Sequence, residues 1–227
     1  MDQLRADSPK TREEFEQLFH TNLETCRWEP HPLFSVFTQY DQEYYLSRAE
    51  DFFHKYKCFY AVSKTISPKR MIELGTCAGA SADAYLSAAP EAGYLGIDVF
   101  GVNTRHDDHT PWDPYAIAQR LFESRGFQNY ELLKANLRAL SSLPWQADFV
   151  VVDAAHDFDN AYADLQLALT AHPTFIFVDD ADDENGAKPA IDHFLMRHAD
   201  SLIDYTFHID YLGGGLVIKL KNTNAAV

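Results

Sequence analysis

Arg70-Met-Ile-Glu-Leu-Gly-Thr-Cys-Ala-Gly-Ala-Ser81 is the stretch that decides how this chain folds. A short apolar run carries Glu73, passes through Gly75 and Gly79, and enters what reads as a helix start. Such a strand-to-helix turn needs residues that tolerate positive φ and let a ligand come close to the backbone. The unpaired N–H groups of the new helix open onto the same space. A carboxylate accepts hydrogen bonds and cannot donate them, so Glu73 favours a ligand bearing hydroxyl or ammonium groups and repels a diphosphate. An ordinary strand–helix turn of an open α/β sheet stays open as the alternative.

Outward from this turn, strands alternate with helices. The pattern predicts strands at Arg70–Leu74, Tyr94–Val99, Tyr130–Lys134, Asp148–Asp153 and Phe175–Asp179. It predicts helices at Ala80–Ala88, Pro114–Arg125, Asn160–Leu169 and Lys188–Arg197. Phe149-Val-Val-Val152 is apolar throughout, as expected for a strand buried on both faces. The alternation calls for a parallel sheet covered on both sides. At the end the rhythm changes. Asp204–Ile209 and Gly215–Leu220 are separated only by a glycine-rich turn, which predicts an antiparallel hairpin.

The first 60 residues read differently. They are helical in character and rich in aromatics, among them Phe15, Phe19, Trp28, Phe34, Phe37, Tyr40, Tyr44, Tyr45 and Phe59. Pro30 and Pro32 divide an early helix from a longer one spanning about Asp41–Ser63. The division expected is a helical extension, residues 1–60, followed by one compact domain, residues 61–227. The extension reads as a helix packed across the sheet edge, as a lid whose aromatics wall an apolar pocket, or as both at once.

Composition narrows the function. The chain has 227 residues, 34 Asp plus Glu against 19 Lys plus Arg, and a net charge of −15. That balance argues against nucleic acid, whose phosphates need a basic face, and against anionic membrane surfaces. No run has the length of a membrane span. Three widely spaced cysteines, Cys26, Cys58 and Cys77, suit free thiols in a reducing compartment. The expectation is a cytoplasmic protein.

Ligands of open α/β sheets bind beyond the carboxyl ends of the strands, and acids gather there. Glu73 is near the end of strand one, Asp98 of strand two, Asp153 of strand four, and Asp179 and Asp180 of strand five. An acid after strand two suits ribose hydroxyls. Asp153, Asp179 and Asp180 form a separate cluster whose oxygens suit a hard divalent cation such as Mg²⁺. Helix N-caps are the alternative use of such residues.

With these residues in place, residues 60–220 resemble the class I S-adenosylmethionine-dependent methyltransferases. Glu73-Leu-Gly-Thr-Cys-Ala-Gly-Ala-Ser81 is similar to that family's cofactor loop, and Gly96-Ile-Asp98 to its ribose-binding segment. The resemblance implies a Rossmann-like α/β fold: a seven-stranded sheet of order 3-2-1-4-5-7-6 with an antiparallel last strand. It implies cofactor contacts at Glu73, Gly75, Thr76, Cys77, Gly79, Ser81, Asp98, Val99, Asn136 and Asp153. Asn136 equally suits a turn cap, and Ser81 a helix start. A narrower resemblance is to the cation-dependent O-methyltransferases of the catechol and caffeoyl-coenzyme A type. It places a cation on Asp153, Asp179 and Asp180, with Asp180 where Asn is usual. His156 stands where that group carries a catalytic Lys. Val151-Val-Asp-Ala-Ala-His156 also resembles bacterial methyltransferases with Asp-x-x-His at this point.

The implied reaction is methyl transfer to a hydroxyl of a small aromatic or apolar acceptor. Asp153 would help hold the acceptor, and His156 would take its proton, because histidine changes protonation near neutral pH. A histidine merely hydrogen-bonded in the next helix turn is the alternative. Members of the resembled family are often homodimers. A nicotinamide dehydrogenase needs glycines where Cys77 and Ala80 stand. A metal-independent transferase, or a cofactor-binding protein without catalysis, shares the fold. The run His106-Asp-Asp-His109 resembles a metal-ligand run, but its spacing does not place all four side chains together and it reads rather as a solvated loop; Trp112 and Pro114 in the same segment are candidate neighbours of the adenine.

Overall fold

A computed structural model describes residues 8–33, 47–101 and 113–221. The run His106–His109, Trp112, the aromatics from Phe34 to Tyr45 and the expected helix start at Asp41 lie outside these residues. In chain order the elements are α1 (Arg12–Glu24), α2 (Ala49–Ile66), β1 (Arg70–Leu74), α3 (Ala80–Ala88), β2 (Gly93–Asp98), α4 (Pro114–Arg125) and β3 (Tyr130–Lys134). There follow a short 3₁₀ turn (Leu137–Ala139), β4 (Phe149–Val152), α5 (Phe158–Leu169), β5 (Phe175–Asp179), α6 (Lys188–His198), β6 (Ile203–Ile209) and β7 (Gly215–Leu220).

The seven strands form one sheet of order β3-β2-β1-β4-β5-β7-β6. β1 to β5 are parallel, and β7 runs antiparallel between β5 and β6. The order and the reversed last strand agree with the sequence expectation. Residues alternate between the faces of a strand, and here each face feeds a different core. Met71, Tyr94, Phe149, Val151, Phe175, Phe177 and Val217 pack into the layer that holds α1 to α4. Ile72, Leu74, Leu95, Val150, Val152, Ile176 and Val178 pack against α5 and α6.

The first layer is aromatic. Phe59 of α2 stacks on Tyr85 at 5.1 Å and meets Phe177 and Tyr211 edge-on at 5.4 and 5.6 Å. Phe15 of α1 lies 5.3 Å from Phe207. The sequence expectation put a boundary at residue 60. It falls inside α2, and the residues before it share one core with β4, β5 and β7. The described part of this region packs as helices over the sheet, as the first reading expects. No described helix is long and apolar enough to cross a membrane.

Candidate active site at the carboxyl edge of the sheet

Strand parity builds this site. Glu73, Asp153 and Asp179 each lie an even number of residues from Met71, Val151 and Phe177. They therefore project to the aromatic face, which α2 covers. Val151 pairs with Glu73 and with Phe177, which sets the three strand ends side by side.

The loop after β1 has the backbone expected of it. Gly75 and Gly79 sit at φ +98° and +83°, and Cys77 between them at +48°. The room above the glycines is taken by the protein itself. A Cβ on Gly75 would come within 2.1 Å of the main-chain oxygen of Asp153, and one on Gly79 within 2.9 Å of the Phe122 ring. The glycines thus bring the loop against β4 and α4, which the sequence had suggested only for a ligand. Asp98 ties the loop to the end of β2. Its Oδ2 accepts from the Cys77 N–H at 2.9 Å and its Oδ1 from the Phe100 N–H at 2.7 Å. A carboxylate has about four acceptor sites, so lone pairs remain for hydroxyls. Val99 beside it is 53% exposed.

Glu73 is fully buried and accepts a short hydrogen bond from the Tyr94 hydroxyl. Burial pushes its carboxyl up to about 7, although the hydroxyls of Ser81 and Tyr94 beside it act to lower it. Its Oε1 has no partner at ordinary hydrogen-bond geometry. Thr76 is buried and turns inward, with its hydroxyl 3.2 Å from that of Tyr94. Ser81 is buried in the first turn of α3. Asn136 accepts from the Arg138 N–H at 2.9 Å and so caps the 3₁₀ turn, the second of its two expected roles.

The second cluster lies beyond β4 and β5. Asp153, His156 and Asp180 each offer a ligand atom within 4.8 Å of the others. His156 Nδ1 is 3.5 Å from Asp180 Oδ2, and its side chain is 47% exposed. Asp180 has φ +51°, a conformation tolerated by Asp at some cost. Gly213 of the β6–β7 turn makes room for its carboxylate, since a Cβ there would meet Oδ1 at 2.2 Å.

Asp179 differs from the expected ligand set. It is buried, its Oδ2 lies 2.6 Å from Lys55 Nζ, and its Oδ1 accepts from the Tyr211 hydroxyl at 2.7 Å. Lys55 also reaches Asp180 Oδ1 at 3.3 Å. Burial alone would lower the Lys55 ammonium, but Asp179, Asp153 and Asp180 outweigh it and hold its pKa above the ordinary value. Burial and the charge of Asp179 raise Asp153 well above the usual carboxylate range, against the pull of Lys55. Burial and Asp179 likewise raise Asp180, while Lys55 and His156 act against them. Three carboxylates share one ammonium, and the surplus negative charge calls for protons or another cation. The donor set of two carboxylates and an imidazole fits a divalent ion, and the ammonium shows where positive charge is held.

Lys55, Tyr94 and Tyr211 were not singled out in the sequence. Lys55 stands four residues before Phe59, so it shares that residue's helix face. Tyr94 follows from parity once β2 is paired with β1. Tyr211 gives no signal, because its place depends on the β6–β7 turn.

No family model matches the chain, and no curated protein sequence does. Solved structures match over nearly its whole length. A methyltransferase from Podospora anserina, PaMTH1 with bound SAH, is 17% identical, covers 94% of this chain and 98% of its own, and has a TM-score of 0.60. The O-methyltransferase TomG from Streptomyces achromogenes, in complex with SAM, is 16% identical over 92% and 99%, with a TM-score of 0.59. A Geobacter sulfurreducens methyltransferase is 14% identical over 89% and 95%, with a TM-score of 0.58. Sheet order, the reversed β7 and these likenesses agree: this chain has the Rossmann-like fold of the class I S-adenosylmethionine-dependent methyltransferases.

Proposed function

We propose that the protein transfers a methyl group from S-adenosylmethionine to a hydroxyl of a small aromatic or apolar molecule, with a divalent cation such as Mg²⁺ at the acid cluster. One observation carries this reading. Two sites of different chemistry, the loop of Glu73 to Ser81 with Asp98 and the cluster of Asp153, His156 and Asp180, meet where Gly75 touches the Asp153 main chain. Methyl transfer needs a donor and an acceptor site side by side.

When bound, S-adenosylmethionine supplies an activated methyl group and the cation supplies charge that favours the acceptor's anion. The chain does the rest. Asp98 receives ribose hydroxyls on its remaining lone pairs, with Val99 beside them. Glu73 and the α3 N-terminus, where Ser81 lies, form the floor of the loop. Asp153 and Asp180 would hold the cation, while the His156 imidazole stays off the metal with its Nδ1 side facing Asp180. His156 Nε2 takes the proton of the acceptor hydroxyl. The net charge of −15 favours a free small molecule over nucleic acid, and light scattering tests the homodimer suggested by the resemblance. Lys55 on Asp179 favours a second reading, in which its ammonium is the site's sole cation and transfer needs no metal.

Calorimetric titration with S-adenosylmethionine, followed by radiolabelled methyl transfer to a phenol and catechol panel with Mg²⁺ or EDTA, tests these readings. Absence of cofactor binding overturns both. Turnover indifferent to EDTA leaves the second.

A further inference from the structure

Lys55 comes from a helix that precedes β1, yet its ammonium lies among the carboxylates at the ends of β4 and β5. It is 2.6 Å from Asp179 Oδ2 and 3.3 Å from Asp180 Oδ1. Its side chain is 12% exposed. The faces of Phe59 and Tyr211 are each 5.6 Å from Nζ, within cation–π range. Asp180 is the shared residue. One oxygen faces Lys55, and the other faces His156 in the group that suits a metal.

We propose that Lys55 is a built-in competitor of the divalent cation: it holds Asp179 and Asp180 while the metal is absent and must withdraw from them when the metal binds. A divalent ion on Asp180 would stand within a few ångströms of this ammonium, and like charges at that range repel strongly in a partly desolvated site. Withdrawal frees the Asp179 oxygen that Lys55 now occupies and leaves the ammonium over the two rings. Metal loading is thereby coupled to α2, the helix that closes the aromatic core. This inference rests on the cation-assisted form of the proposed function.

Binding of Mn²⁺ alone, followed by electron paramagnetic resonance of the free ion, tests it on the full chain. Lys55→Met is expected to bind Mn²⁺ at least tenfold more tightly than the wild type. Equal or weaker binding, or no binding by either protein, overturns the proposal. A measurement on the unaltered protein guards against a variant that fails to fold. Acetylation of Lys55, read by peptide mass spectrometry, is expected to speed up at saturating Mn²⁺ as the ammonium leaves its ion pairs. An unchanged or slower rate overturns the proposal. Cofactor titration of the metal-free wild type is independent of both, so failure of the competition is distinguishable from failure of the methyltransferase reading.

Discussion

Lys55 Nζ lies 2.6 Å from Asp179 Oδ2, and both side chains are largely withdrawn from water. Removing one member of such a pair leaves a buried charge without its counterpart. Lys55→Met is expected to lose about 3–5 kcal/mol of unfolding free energy in metal-free buffer. Asp179→Asn in the same background returns part of it, because the stranded carboxylate is gone. Urea denaturation of the two variants measures both effects, and equal stability of Lys55→Met and wild type would show the pair to be dispensable.

The buried Glu73 carboxyl makes stability depend on pH. Its pKa in the folded protein is about 7, above the ordinary 4.5, because burial disfavours the charged form. Between these values the folded state keeps a proton that the unfolded chain releases. The contribution is thus complete below about pH 4.5 and is lost as pH rises through about 7, a change of about 3 kcal/mol. Glu73→Gln removes this slope. Denaturation at pH 5 and pH 7.5 should show the wild type losing more stability than the variant over that interval. Tyr94→Phe removes a hydrogen bond that lowers the Glu73 pKa, and moves the wild-type slope to higher pH.

His156 is the group expected to accept the acceptor's proton. His156→Ala should lower kcat by a factor of about 10² to 10⁴. Affinity for S-adenosylmethionine should stay unchanged, since the proposed function puts His156 on the acceptor side. Single-turnover kinetics and cofactor titration separate the two. Unchanged turnover would remove histidine from the mechanism and leave it as a residue of the loop before α5.

Asp83 of α3 is fully buried and accepts from Arg125 Nε at 2.6 Å, Arg125 Nη2 at 2.7 Å and Trp28 Nε1 at 3.2 Å. Arg125 also donates to the Glu29 carbonyl at 2.7 Å. Two helices and the segment after α1 thus meet on one carboxylate. Arg125→Met is expected to cost about 3–5 kcal/mol, and Asp83→Asn added to it to recover part. Thermal and urea unfolding of the single and double variants check this coupling.

Much of the fold was legible because strands and helices announce themselves by local rhythm. Arg70–Leu74, Phe175–Asp179 and Gly215–Leu220 fall where the apolar runs and glycines put them. The acids of the site were legible for the same reason, since each sits at a strand end. The pairings among them were not. That Asp179 turns to Lys55 and Tyr211, while His156 joins Asp153 and Asp180, depends on α2 crossing the sheet and on the β6–β7 turn folding back. These are contacts between residues over a hundred positions apart for Lys55, and no local pattern encodes them. Asn136 was legible as a choice of two roles, and its bond to the Arg138 N–H shows the cap.

The contact of Gly75 with the Asp153 main chain leaves no space for even a methyl group between the two loops. Whatever binds on either side of it, the span between them is set by main-chain packing of two paired strands and not by adjustable side chains. A displacement at carbon tolerates little error in the line of approach. The ruler for that line is thus laid down when β1 and β4 pair, before any ligand arrives. Altered acceptor preference should therefore arise through side chains around the gap, while its width stays constant.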